Sequence, residues 1–118
     1  MNIYFSLQAA NVVRDIEWRR TAVGRRVKFS LSFRGNELGG ESGEVQNILK
    51  KLDRELMGLP GSRSSPKALF EELADVIICI GLIAIHFPEY DLAAEVSKKF
   101  NKTSRQQKLK TRLKMERF

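Results

Sequence analysis

A chain of 118 residues with 42% hydrophobic content and one cysteine is sized for a single domain around a single core. One cysteine excludes an internal disulfide framework and a cysteine-rich zinc site, and the longest apolar run, Val76 to Ile85, has about half of the roughly 20 residues a membrane-spanning helix needs. The net charge of +7 is lopsided: Lys98 to Phe118 holds nine Lys/Arg and one acid, while the first 97 residues set 12 cations against 13 acids.

A basic end of this kind attracts phosphates on nucleic acid, a nucleotide or a membrane surface, although a solvated helix terminus often carries such charge with no ligand. The opening MNIYFSLQAANVVRDIEWRR lacks a basic start, a long apolar run and a small-residue cleavage site. No signal peptide is expected, and the cytoplasm is the expected location.

The first helix is expected over about Ser6 to Arg19, with Leu7, Ala10, Val13 and Trp18 on its buried side. After the polar hinge RRTAVGRR, Ser30 is a good N-cap for a second helix running to about Met57. The Gly/Pro/Ser-rich loop GLPGSRSSP ends it, and Ser65 with Pro66 starts a third helix reaching about His86. A fourth helix follows Tyr90 and Asp91, through Phe100 and toward the basic tail. The run VIICI favours extended structure when read alone, but its only candidate partner strand is the doubtful VKFSLSF. The expected fold is all-α with about four helices.

Acids on the second and third helices break the pattern of their surroundings. At 100° per residue Glu37, Glu41 and Glu44 lie within about 60° of one another, and Glu72 and Asp75 share a face of the third helix. Like charges at this spacing destabilise a helix by a few tenths of a kcal/mol, and two such faces meeting in a bundle call for a positive object between them. Four carboxylates suit magnesium, with manganese as a substitute, because hard cations prefer oxygen. Acid pairs at i,i+3 are also common on solvated faces, so either pair alone means little. Gly39, Gly40 and Gly43 are expected to clear space around the acids for a neighbouring helix or a phosphate.

ExxE (Glu41, Glu44) followed about thirty residues later by ExxD (Glu72, Asp75) resembles the MazG-like all-α nucleoside triphosphate pyrophosphohydrolases. The likeness extends to FRGNELGGESGEVQNILKKLDRE, GSRSS, EELADVIIC and KKFNKTS, from about Ala10 to Leu113, and is greatest to the compact members typical of bacteriophages. It implies a helical bundle over residues 1–105 with a basic tail at 106–118, assembled as a dimer or a dimer of dimers. It also implies magnesium-dependent cleavage of a nucleoside triphosphate, expected to be a deoxynucleotide, between the α- and β-phosphates. Glu41, Glu44, Glu72 and Asp75 would be the catalytic acids and metal ligands, and Glu37 is a candidate fifth. Which acid serves as base stays open.

Lys51, two turns after Glu44, could reach the outer phosphates, and Lys99 and Asn101 match a family segment that contacts phosphate or sugar. Asn11, Trp18 and Cys79 match positions bordering the base pocket; Trp18 and Cys79 also read as ordinary core. Gly81 stands where an acid is common in phage relatives, so a polar contact is expected to be missing there. His86, about 16 Å beyond Asp75, is too far along the helix to share its metal. The competing reading is a non-catalytic nucleic-acid-binding protein using its basic tail. A helical interaction protein with a structural ion is a third. No membrane partner is expected.

Overall fold

The computed structural model describes residues 3–114, with side chains described from Ser6 onward. It contains four helices, α1 (Ile3–Arg20), α2 (Leu31–Leu56), α3 (Pro66–Ala84) and α4 (Leu92–Gln106), and no strand among the described residues. VKFSLSF divides between the hinge and the first turn of α2.

The helix starts follow local chemistry. The side chains of Ser30, Ser65 and Asp91 each accept a hydrogen bond from the backbone N–H three residues on, and Pro66 occupies the first turn of α3, where its missing N–H costs nothing. Two helix ends share one geometry. At the end of α2, Leu59 N–H bonds Arg54 O at 2.9 Å and Gly58 N–H bonds Glu55 O at 3.2 Å; at the end of α4, Leu109 N–H bonds Ser104 O at 2.7 Å and Lys108 N–H bonds Arg105 O at 3.1 Å. Both turns need a left-handed residue, supplied by Gly58 at φ 68° and by Lys108 at φ 57°. A lysine there carries the Cβ penalty that glycine escapes. Lys108→Gly is therefore expected to raise stability by about 1 kcal/mol, read as a higher urea midpoint at fixed protein concentration.

α2 and α3 pair antiparallel: Glu41 lies beside Glu72, while Glu37 and Arg34 lie near Cys79. This is the main packing in the chain, and α1 lies against α3. Leu38, Val45, Ile48 and Leu52 form the less exposed stripe of α2, at the spacing of one helical face. Glu41 occupies the same stripe, so the seam itself carries a carboxylate.

The contact of α1 with α3 is polar and close. Gln8 Nε2 donates to Gly81 O at 3.1 Å, and Asn11 Nδ2 donates to Gln8 Oε1 at 2.9 Å. A Cβ at residue 81 would sit 2.3 Å from Gln8 Oε1 and 2.6 Å from Asn11 Nδ2. Only glycine lets the two helices approach this way, so position 81 has no room for an acid.

The buried side of α1 differs from the sequence expectation. Asn11 and Asp15 are buried, Leu7 is half-buried, and Ala10, Val13 and Trp18 are exposed, the last two by 60% and 54%. The apolar residues that face away from the chain's own body are Val12, Val13 and Ile16. Gly39, Gly40 and Gly43 also depart from expectation: a Cβ at any of them would meet nothing within 4 Å, so no helix of this chain uses their space.

The single chain is open. Its radius of gyration is 17.8 Å, against about 13–14 Å for a compact domain of this length. Ile48 and Cys79 are the only buried apolar side chains among the described residues, while Val12, Ile16, Phe70 and Ile77 are exposed. A chain with this composition buries far more when its apolar faces are covered. No helix among the described residues is long and apolar enough to cross a membrane.

Candidate metal centre

Three of the four acids meet. Carboxylate oxygens of Glu41, Glu72 and Asp75 all lie within 4.8 Å of one another. Magnesium or calcium holds oxygens at about 2.0–2.6 Å, which places ligands on opposite sides of one ion roughly 4–5 Å apart. The donor set fits a hard divalent cation in number, type and spacing. Glu44 lies outside this tight group, one turn from Glu41 and exposed, but its charge still acts on Glu72. Asp75 is exposed too, although it sits in an apolar stretch. The outer side of α3 is uncovered, so LADVIICI does not enclose it.

The electrostatics register the crowding. The hydrogen bond with Glu41 raises the Glu72 carboxyl above its ordinary value, and desolvation and the charges of Glu41, Asp75 and Glu44 push the same way. The folded state therefore binds a proton at Glu72 more tightly than the unfolded chain does. Stability from this group is present at low pH and is lost as pH rises from the ordinary glutamate range, about 4.3, through the raised folded value. In chelator, the urea midpoint should fall across that window, and Glu72→Gln should flatten the fall. A midpoint that rises instead would contradict the close acid contact.

Beside the acids, burial raises the Cys79 thiol, with the charges of Glu37, Glu41 and Asp75 adding to the effect and Arg34 opposing it. Cys79 is a neutral, buried thiol at the rim of the acid group, unsuited to nucleophilic work. Glu37 does not join the acids. Its Oε1 lies 3.5 Å from Arg34 Nη1.

Arg34 is the residue the sequence reading missed. It is 4% exposed, forms a close ion pair with Asp15 of α1, and lies 4.7 Å over the Phe29 ring. Asp15 also meets the exposed Arg19 at 3.2 Å. This network ties α1 to α2 and places a buried positive charge near Cys79, at the end of the acidic seam. Its sequence signal was faint: Asp15 lies among Val12, Val13 and Ile16 but beside Arg14 and Glu17, and Arg34 follows Phe33 but shares its turn with Glu37. Buried ions without a partner are costly, so opposite charges beside apolar residues invite pairing.

The remaining candidates are scattered. Lys51, on α2, is half-buried, and Lys99, on α4, is exposed with no carboxylate partner among the described residues. Asn101 is already engaged: its Nδ2 donates to Leu113 O at 3.0 Å, and its Oδ1 accepts from Leu113 N–H at 2.7 Å. Asn11 is 1% exposed, with Oδ1 unpaired, and Trp18, two turns further along the same helix, is exposed. A cavity of about 390 Å³ is lined by Val12, Asp15, Arg19, Phe29, Ile85 and His86. It opens near the C-terminal end of α3, away from Glu72 and Asp75, which belong to that helix's N-terminal half. Comparison with protein-family models, curated proteins and solved structures finds no match to this chain.

Proposed function

We propose that the chain is a magnesium-dependent nucleoside triphosphate pyrophosphohydrolase of the MazG-like kind, releasing a nucleoside monophosphate and pyrophosphate. A deoxynucleotide substrate and a role in shaping a phage or bacterial nucleotide pool complete this reading. The observation that carries it is the convergence of Glu41, Glu72 and Asp75 from two antiparallel helices, with oxygens within 4.8 Å of one another.

Glu41, Glu72 and Asp75 would hold the cation, and Glu44 completes the acidic set. When bound, the cation would neutralise charge on phosphate oxygens and make water a better nucleophile. A carboxylate of this set would take the proton from the attacking water. Lys51 and Lys99 supply cations for the outer phosphates. Trp18 offers an aromatic face to the base, and Asn11, buried against α3 on the same side of α1, backs it with an unpaired Oδ1. Asn101 joins the phosphate contacts only by releasing Leu113.

The working unit is a homodimer or homotetramer. Outward-facing Val12, Val13, Ile16, Phe70 and Ile77 support this, because a lone chain leaves them in water. A second copy also accounts for space left open beside Gly39, Gly40 and Gly43.

The test is an assay for pyrophosphate with the common and modified deoxynucleoside triphosphates, each with magnesium and with chelator. Release of pyrophosphate and the monophosphate, abolished by chelator, is expected with at least one base. Orthophosphate and a diphosphate as the products, or no turnover of any triphosphate, would overturn the assignment.

A further inference from the structure

Helix α4 carries two stripes on opposite sides. At 100° per residue, Lys98, Lys102 and Arg105 fall within about 60° of one another, and Leu92, Ala93, Val96 and Phe100 lie on the other side. The basic stripe stays accessible even when the apolar stripe is covered. After α4 the chain turns at Lys108 and comes back. Asn101 fixes this return by pairing both its amide atoms with the backbone of Leu113. Lys108, Lys110 and Arg112 are thereby held close to the last turns of α4 rather than spread through solvent.

Eight Lys/Arg lie between Lys98 and Lys114, with no acid among them. Lys98 meets Glu95 at 3.4 Å, and Arg112 donates to the carbonyls of Leu109 and Thr111. The other six, Lys99, Lys102, Arg105, Lys108, Lys110 and Lys114, have no carboxylate partner among the described residues. Concentrated cations without counter-ions form a surface whose complement is a row of phosphates.

We propose that α4 and its returning strap dock the sugar-phosphate backbone of nucleic acid, without reading its sequence. A bilayer is the poorer complement. The apolar stripe of α4 faces away from the cations and ends at Phe100, so beside Leu109 and Leu113 the basic face has little to insert. Lys99 is shared with the proposed nucleotide site; the other five cations are separate from the acidic seam, and their surface stands whether or not the chain cleaves nucleotides.

The test uses the full chain and a fluorescent 20-nucleotide single strand, followed by anisotropy over a salt series. Binding is expected at low salt, with log K falling against log salt by about 0.7 per phosphate neutralised, so about 3–4 for four to six contacts. Arg105→Glu/Lys110→Glu/Lys114→Glu should weaken it at least tenfold, while helical circular dichroism and pyrophosphate release stay at wild-type level. Leu113→Pro removes the N–H that Asn101 receives and should weaken binding two- to fivefold by loosening the strap. Unchanged affinity in the triple variant, or no binding at 50 mM salt, overturns the proposal. So does capture by phosphatidylserine vesicles with no oligonucleotide binding, which would give the surface to membranes.

Discussion

Replacing Glu72 by Gln or Asp75 by Asn is expected to lower pyrophosphate release by about a hundred- to a thousandfold, with helical content kept. Each change removes one charge from a group whose oxygens lie within 4.8 Å of one another. Loss of one preorganised electrostatic contact at a reacting centre typically has an effect of this size. The two variants also separate catalysis from folding. In the metal-free protein the acids crowd one another, and the Glu72 carboxyl is raised by its hydrogen bond with Glu41, by desolvation and then by the neighbouring charges. Glu72→Gln should therefore leave the apoprotein as stable as wild type, or more so, while turnover collapses. Glu44→Ala should have the smaller effect on metal affinity, because Glu44 stands outside the tight group. Equal turnover in wild type and Asp75→Asn would remove the acids from the chemistry.

The second large effect concerns stability. Arg34→Met leaves Asp15 buried with only the exposed Arg19 as partner. Removing one member of a buried ion pair costs about 3–5 kcal/mol, and the surviving Arg19 contact places this case near 3. The expected result is a large drop in the urea midpoint, measured at one protein concentration because association contributes to it. Arg34→Met/Asp15→Leu should recover most of the loss, since neither charge is then stranded. If the double variant is as unstable as the sum of the singles, the pair is not coupled and the tie between α1 and α2 lies elsewhere. The cation also sits near Cys79, so Arg34→Met should leave the thiol even less ionised.

Helix starts were the most legible part of the fold. Ser30, Ser65 and Asp91 are local signals, each satisfied by a backbone N–H three residues away, and no distant contact is needed to read them. Glu41, Glu72 and Asp75 were legible for a similar reason. Acids at i,i+3 on mostly apolar helices carry a penalty that invites an explanation, and those three converge. Glu44 shares the spacing but not the tight geometry, because helical angle alone does not fix how far a side chain sits from the neighbouring helix.

The buried side of α1 was illegible for a deeper physical reason. Periodicity tells which residues share a face, not which body that face meets. Val12, Val13 and Ile16 share the outward side, the inward side carries Gln8, Asn11 and Asp15, and Trp18 is exposed near the helix end although it falls on the side of Asn11. Polar groups turn inward there because specific partners await them: Gly81 O for Gln8, and Arg34 for Asp15. Such partners come from distant segments and leave no local trace. The same holds for Asn101, which matches a phosphate- or sugar-contacting segment by resemblance, while its pairing with Leu113, 12 residues on, leaves no local trace.

Titration of manganese into the metal-free protein, followed by the loss of the free-ion electron paramagnetic resonance signal, tests the acidic centre most directly. Saturable binding is expected in the wild type, weakened at least tenfold in Glu72→Gln and competed by magnesium. Weak, non-saturating uptake that is the same in both proteins would mean that these carboxylates hold no ion.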